Sequence, residues 1–253
     1  MKANYHTHTK RCGHASGEDR EYVEAAIRAG IQTLGFSDHC PWVFPDGYVS
    51  GIRMEPREVE GYCRSLEDLR REYAGDIRIL IGFEAEYVPE LIEAQDRFLA
   101  DYPIDYMILG QHHLGPEPEP GSFYLGMPLS SEAVLTEYVD TVIEGMESGR
   151  YLYLAHPDLI HYIGDDEIYD REMQRLCKYL YDKNMPIEIN MLGVIQGRNY
   201  PNERFLKIAG QTGNSCIIGI DAHYPEALED TEGEKMCRQI IQSYNLEISS
   251  PLL

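Results

Sequence analysis

The sequence is poor in positive charge. Its 253 residues carry 22 Lys and Arg against 43 Asp and Glu, a formal net charge of −21. A general nucleic-acid binder needs a basic footprint to displace phosphate counterions, and an anionic membrane surface repels such a chain, so both partner classes are set aside. The six cysteines (Cys12, Cys40, Cys63, Cys177, Cys216 and Cys237) form no CxxC pair and no dense scaffold, which excludes a disulfide-stapled fold. No apolar stretch approaches the ~20 residues of a membrane span. Met1-Lys2 runs straight into strand-like sequence without a leader pattern. The expectation is a cytoplasmic protein with reduced thiols. The acidity does not exclude a small phosphorylated substrate, because bound cations can reverse the local field.

What is present alternates between strand and helix signals. Residues 3–8 read as a strand, and Ser16 to Asp19 read as a capping-box start for a helix carrying Tyr22, Val23, Ala26 and Ile27, closed by Gly30. Further strand-like runs occur at residues 33–36, 77–83, 106–109, 151–155, 186–189 and 216–220, and helical stripes separate most of them. Residues 115–121, Gly-Pro-Glu-Pro-Glu-Pro-Gly, can be neither helix nor central strand and read as a surface loop or a lid. Seven strand signals interleaved with helices predict one α/β domain over residues 1–253, with a parallel sheet that is open or closed into a barrel.

Chemistry-bearing residues stand at the ends of these strands. They are His6 and His8, His39, Glu84, His112, His156, and Asp221 with His223, while Asn190 ends the remaining strand. His14 follows closely after the first strand. An open sheet would spread such residues along a line, whereas a barrel brings them to one mouth, so the pattern favours the barrel. His6 and His8, two apart on a strand, share one face, and Asp221 and His223 repeat that geometry. Mixed imidazole and carboxylate donors suit Zn, Fe or Mn. Nine such ligands exceed the capacity of one ion, so two or three divalent ions are expected, with Glu84 bridging a pair. Such a centre stays cationic in an acidic protein, attracts a phosphate dianion, and lowers the pKa of bound water to give a hydroxide nucleophile. Hydrolysis of a phosphate ester follows as the reaction class.

The His6-x-His8 start, Ser37-Asp38-His39, Glu84, His112, Ala155-His156-Pro157 and Asp221-Ala222-His223 together resemble the PHP (polymerase and histidinol phosphatase) superfamily. The match is strongest to its histidinol-phosphate phosphatase branch, and it covers nearly the whole chain. The resemblance implies a distorted (β/α)7 TIM-like barrel with a trinuclear centre at the C-terminal strand ends. It implies that His6, His8, Glu84 and Asp221 hold a first metal and the attacking hydroxide. Glu84, His112 and His156 would hold a second metal, and His14, His39 and His223 a third. The branch places a phosphate-binding Arg after its Glu-Ile-Asn segment. Here Glu188-Ile189-Asn190 leads to Gly197-Arg198, which makes Arg198 the candidate.

Two departures from the branch are visible. His161 stands where members often carry a basic Arg or Lys after the His-x-Asp-Leu run, and Gln111 replaces an expected Ser-Val-His version. His113, beside a ligand, is open to substrate contact, to protonating the leaving alcohol, or to simple packing. Trp42 and Phe44 can wall a pocket or cover the core. Cys12 and Cys40 lie near proposed ligands and have the chemistry to bind metal, but enough His and carboxylate ligands exist already, so they are taken as bystanders. The expected activity is metal-dependent hydrolysis of L-histidinol phosphate in histidine biosynthesis. The alternatives are another small phosphomonoester or nucleotide, and a non-catalytic metal-binding module. Oligomeric state is not legible.

Overall fold

The computed structural model describes residues 1–117, 119, 122–249 and 251–253. Pro118, Pro120 and Gly121 of the expected 115–121 loop lie outside the described residues. Two compact units result, Met1–Ile108 with Ile220–Thr231, and Leu109–Gly219 with Glu232–Leu253.

The first unit is built on a parallel sheet in the order β1 (Ala3–Asn4), β2 (Thr33–His39), β3 (Arg78–Ala85) and β4 (Tyr106–Leu109), the last strand running up to the unit's boundary. The β2–β3 register pairs Ser37 with Gly82 and His39 with Glu84, so these residues end adjacent strands side by side. Helices α1 (Asp19–Arg28), α2 (Val59–Glu72) and α3 (Pro89–Leu99) follow β1, β2 and β3. α1 begins one residue past its capping Glu18, which forms a reciprocal box with Glu21, so the expected Ser16 cap is displaced by two residues. Its Tyr22 packs edge-on against Phe36 at 6.2 Å. Tyr106 lies across the sheet, donating its hydroxyl to the carbonyls of Tyr5 (2.8 Å) and Phe36 (3.1 Å). A Cβ at Gly35 or Gly82 would stand 2.3 and 2.5 Å from that side chain, so both positions require glycine.

The returning segment 220–223 pairs with the start of the chain. Ala222 bridges Thr7 in parallel, His8 N donates to Ala222 O (2.9 Å), and the Asn4 side chain accepts from Ile220 N (2.9 Å). Trp42 and Phe44 are buried against Val88 and Leu91, which is the core-covering use of these aromatics.

The second unit holds a parallel sheet in the order β5 (Ile187–Asn190), β6 (Ser215–Gly219) and β7 (Glu247–Ile248). It also holds α4 (Glu132–Glu147), α5 (Asp166–Asp182), α6 (Met191–Gln196), α7 (Glu203–Thr212) and nearly all of α8 (Thr231–Ser243). The strand expected over 151–155 is reduced to one bridging residue, Leu154, which pairs with Leu109 and Ile187. β7 was not expected. The observed class is therefore α/β with parallel pairing; the described residues hold seven strands, but β1 and β7 have two residues each, and the set differs from the expected one by the gain of β7 and the loss of the strand over 151–155. No helix among the described residues is long and apolar enough to cross a membrane.

Candidate metal centre

The centre assembles in the first unit from four chain segments. His6 and His8 project from just beyond β1, His39 ends β2, Glu84 lies near the end of β3, and Asp221 and His223 come from the returning segment. His14 follows the 3-10 turn Lys10–Cys12, which Thr9 caps. Each carboxylate has three imidazoles around one oxygen. Glu84 Oε2 lies 3.5 Å from His6 Nε2, 3.5 Å from His8 Nε2 and 3.2 Å from His39 Nδ1. Asp221 Oδ1 lies 3.5 Å from His6 Nε2, 3.0 Å from His8 Nε2 and 3.4 Å from His223 Nδ1.

These spacings decide what the cluster fits. Two ligands bound to one ion through bonds of ~2.1 Å at a tetrahedral angle stand about 3.4 Å apart. Most of the observed contacts sit at that value and are long for well-formed hydrogen bonds. Ligand atoms of His6, His8 and Asp221 lie within 4.8 Å of one another, as do those of His8, His39 and His223. The His14 ring is 4.9 Å from His223 and 5.2 Å from His39. His14 and His223 each direct Nδ1 at a backbone carbonyl two residues back, Cys12 O and Asp221 O, both at 2.9 Å. With the Nδ1 proton so engaged, Nε2 is left as the donor atom. The donor set therefore fits divalent transition ions.

The electrostatics agree. Burial alone would lower the pKa of His8, but the neighbouring carboxylates of Asp221, Asp38 and Glu84 raise it to about 9. Burial opposes ionisation of Asp221, yet His6, His8 and His223 hold it well below the usual carboxylate range. Burial and the neighbouring His8 push His223 down to about 4. A site that crowds acids and bases this tightly is organised around charge. Asp221 also has φ 56°, in the left-handed region that a non-glycine residue enters only when its surroundings compel it.

The remaining expected residues lie in the second unit. The rings of His112 and His156 are 5.0 Å apart, and His156 has φ 28°. Its backbone N–H donates to Glu188 Oε2 at 3.1 Å, and Glu188 also accepts from Tyr153 Oη (3.2 Å) and Asn190 Nδ2 (2.9 Å). Arg198 is exposed and donates to Tyr200 Oη (2.8 Å), whose ring lies 5.6 Å from His156. His113 is half-buried, its ring 6.1 Å from Tyr124.

Sequence reasoning gave Asp38 and Glu188 no supporting role and set Cys12 aside. Asp38 contacts His8, Glu188 anchors His156, and Cys12 Sγ lies within 4.8 Å of ligand atoms of His14 and His223. Cys12 is thus closer to the cluster than a bystander, while Cys40 Sγ accepts from Gln95 Nε2 at 3.3 Å. An acid immediately before a strand-end histidine was the available signal for Asp38.

A sequence model of the PHP domain matches residues 4–191. The chain belongs to the PHP domain family. It is 28% identical over 229 residues to a probable histidinol-phosphatase of Deinococcus radiodurans, covering 87% of this chain and 85% of the relative. It is 25% identical over 259 residues to a histidinol-phosphatase of Bacillus subtilis, covering 88% and 94% respectively. Its fold matches, with a TM-score of 0.73 at 20% identity, the crystal structure of histidinol phosphate phosphatase from Lactococcus lactis complexed with Zn, L-histidinol and phosphate, covering 98% of this chain and 96% of that one. Within the PHP frame the cluster of the first unit falls inside the matched span except for Asp221 and His223, which lie beyond residue 191.

Proposed function

We propose that this PHP chain is a metal-dependent phosphomonoesterase that hydrolyses L-histidinol phosphate to L-histidinol and phosphate, acting in histidine biosynthesis in the cytoplasm. The observation that carries the reading is the spacing around Glu84 Oε2 and Asp221 Oδ1, which both lie 3.0–3.5 Å from the Nε2 atoms of His6 and His8, with His39 Nδ1 a further 3.2 Å neighbour of Glu84. The names and the bound molecules of its relatives support the substrate. In this reading residues 1–253 form one distorted (β/α)7 barrel, and two or three ions of Zn, Fe or Mn are held by His6, His8, His14, His39, Glu84, Asp221 and His223, with His112 and His156 as further ligands.

When bound, divalent ions supply a water of lowered pKa and offset charge on the phosphoryl oxygens. The chain's residues do the rest. Arg198 grips phosphate oxygens through its planar guanidinium. His113 gives a proton to the leaving alcohol as the phosphorus–oxygen ester bond breaks. Glu188 fixes the backbone of His156 so that its imidazole keeps one direction. A second reading keeps the chemistry and changes the substrate, and His161, standing where the branch carries a basic residue, favours it. One experiment separates the two: elemental analysis and a phosphate-release screen over small phosphoesters, nucleotides included, on the metal-loaded protein. Two to three ions per chain and a clear preference for histidinol phosphate are expected, with chelation abolishing turnover. One ion or fewer in a fully active protein would overturn the metal assignment. A preference for another ester would move the substrate alone.

A further inference from the structure

We infer that Asp38 is a positioning residue of the metal centre, its carboxylate holding the Nδ1 edge of His8 so that Nε2 is the nitrogen presented to the metal. The inference rests on reading the cluster as a metal site. His8 is fully buried, and its ring is divided between two acidic environments. Nε2 faces Asp221 Oδ1 at 3.0 Å and Glu84 Oε2 at 3.5 Å. Nδ1 lies 3.5 Å from Asp38 Oδ1. A ligating imidazole uses one nitrogen for the ion, and a hydrogen bond from the other fixes its tautomer and its plane. His14 and His223 meet that need with backbone carbonyls. The acceptor that faces Nδ1 of His8 is the side chain of Asp38.

Ligand atoms of Asp38, His8 and Cys12 also lie within 4.8 Å of one another, but the bonds Asp38 already accepts suit it to bracing rather than to ligation. It is fully buried, and each of its oxygens already accepts a donor: Oδ1 from the backbone N–H of His39 at 2.9 Å, and Oδ2 from the Thr9 hydroxyl. Those two bonds fix the carboxylate from two segments of the chain. Strand alternation turns Asp38 to the face of β2 opposite that of Ser37 and His39. It therefore stands behind the ring of ligands and braces it. Thr9 is itself held as the cap of the 3-10 turn that leads to His14. One carboxylate thus ties together His8, His39 and the turn preceding His14.

The test uses the full chain loaded with zinc, with Asp38→Asn and Asp38→Ala beside the wild type. Long-range nitrogen–proton NMR of the wild type should show the His8 proton on Nδ1 and the metal on Nε2. Competition with a chromophoric chelator should show zinc held about 10–100-fold more weakly by Asp38→Ala. Asp38→Asn fills the same volume and keeps one oxygen acceptor but lacks the charge, so it should lose zinc affinity by less than Asp38→Ala yet measurably, whereas a purely packing role would leave it at the wild-type value. Melting of the zinc-free proteins tests whether the variants fold, and the wild-type NMR and Asp38→Asn carry the test if Asp38→Ala does not. Zinc on Nδ1 of His8, wild-type zinc affinity in either variant, or equal losses in both would overturn the inference. Failure of the wild type to take up zinc at all would instead bring down the metal-site reading beneath it.

Discussion

His8 and His223 stack with ring centroids 4.2 Å apart, yet they titrate in opposite directions. His8 is raised to about 9 and His223 is lowered to about 4. In the metal-free protein near neutral pH, His8 therefore holds a proton and His223 does not. The raised value stabilises the metal-free fold fully below the ordinary imidazole value of 6.5, and that contribution fades as pH climbs through about 9. Metal binding needs the lone pair that this proton occupies. Zinc uptake at pH 7 is accordingly expected to expel a proton from His8, and apparent affinity should climb with pH until about 9 before levelling. Calorimetry in buffers of different ionisation enthalpy measures the released protons directly. Heats that do not depend on the buffer, with affinity flat between pH 6 and 9, would contradict the assignment of His8 as a ligand.

At the scale of elements, β6 is shaped by what it leaves out. A Cβ at Gly219 would stand 1.7 Å from Glu188 Oε1, inside the space of the carboxylate that holds the His156 backbone. Gly219→Ala is expected to cost about 1–3 kcal/mol, the usual range for overpacking a filled interior. It should also displace His156. Gly61, on the exposed side of α2, meets nothing within 4 Å and makes the natural control. Gly61→Ala should raise stability by about 0.5–1 kcal/mol, because alanine loses less backbone freedom in a helix. Denaturant melts of the two variants test the pair, and equal effects would refute the role given to Glu188. The same contrast shows what the sequence could reveal. Strands β2, β3 and β6 are legible as apolar runs, and their terminal His39, Glu84 and the adjoining Asp221 are legible with them. β7 is not, since two exposed residues carry no period, and residues 151–155 look like a strand although only Leu154 pairs. Glu188 and Asp38 were hidden for a different reason. Their partners Tyr153 and Thr9 lie 35 and 29 residues away, so the acid before His39 was visible locally while the contacts these residues make were not.

For the molecule as a whole, the net charge of −21 and the centre are coupled. Acidic groups at this density repel one another, so any cation eases the folded state to some degree. Specific ligation contributes more, because an ion bound only by the folded chain stabilises it by mass action. At a free concentration 100 times the dissociation constant, one site contributes about 2.7 kcal/mol, which for a chain of this size raises the melting temperature by roughly 5–10 °C. The two effects separate by chemistry. Magnesium prefers oxygen ligands and screens charge without suiting an imidazole cluster, whereas zinc and manganese accept both donors. Thermal melts of chelator-stripped protein should therefore rise by that margin with stoichiometric zinc or manganese and only slightly with magnesium at matched ionic strength. If magnesium at matched ionic strength reproduced the whole increase, the stabilisation would come from surface screening and the histidine cluster would have no share in it.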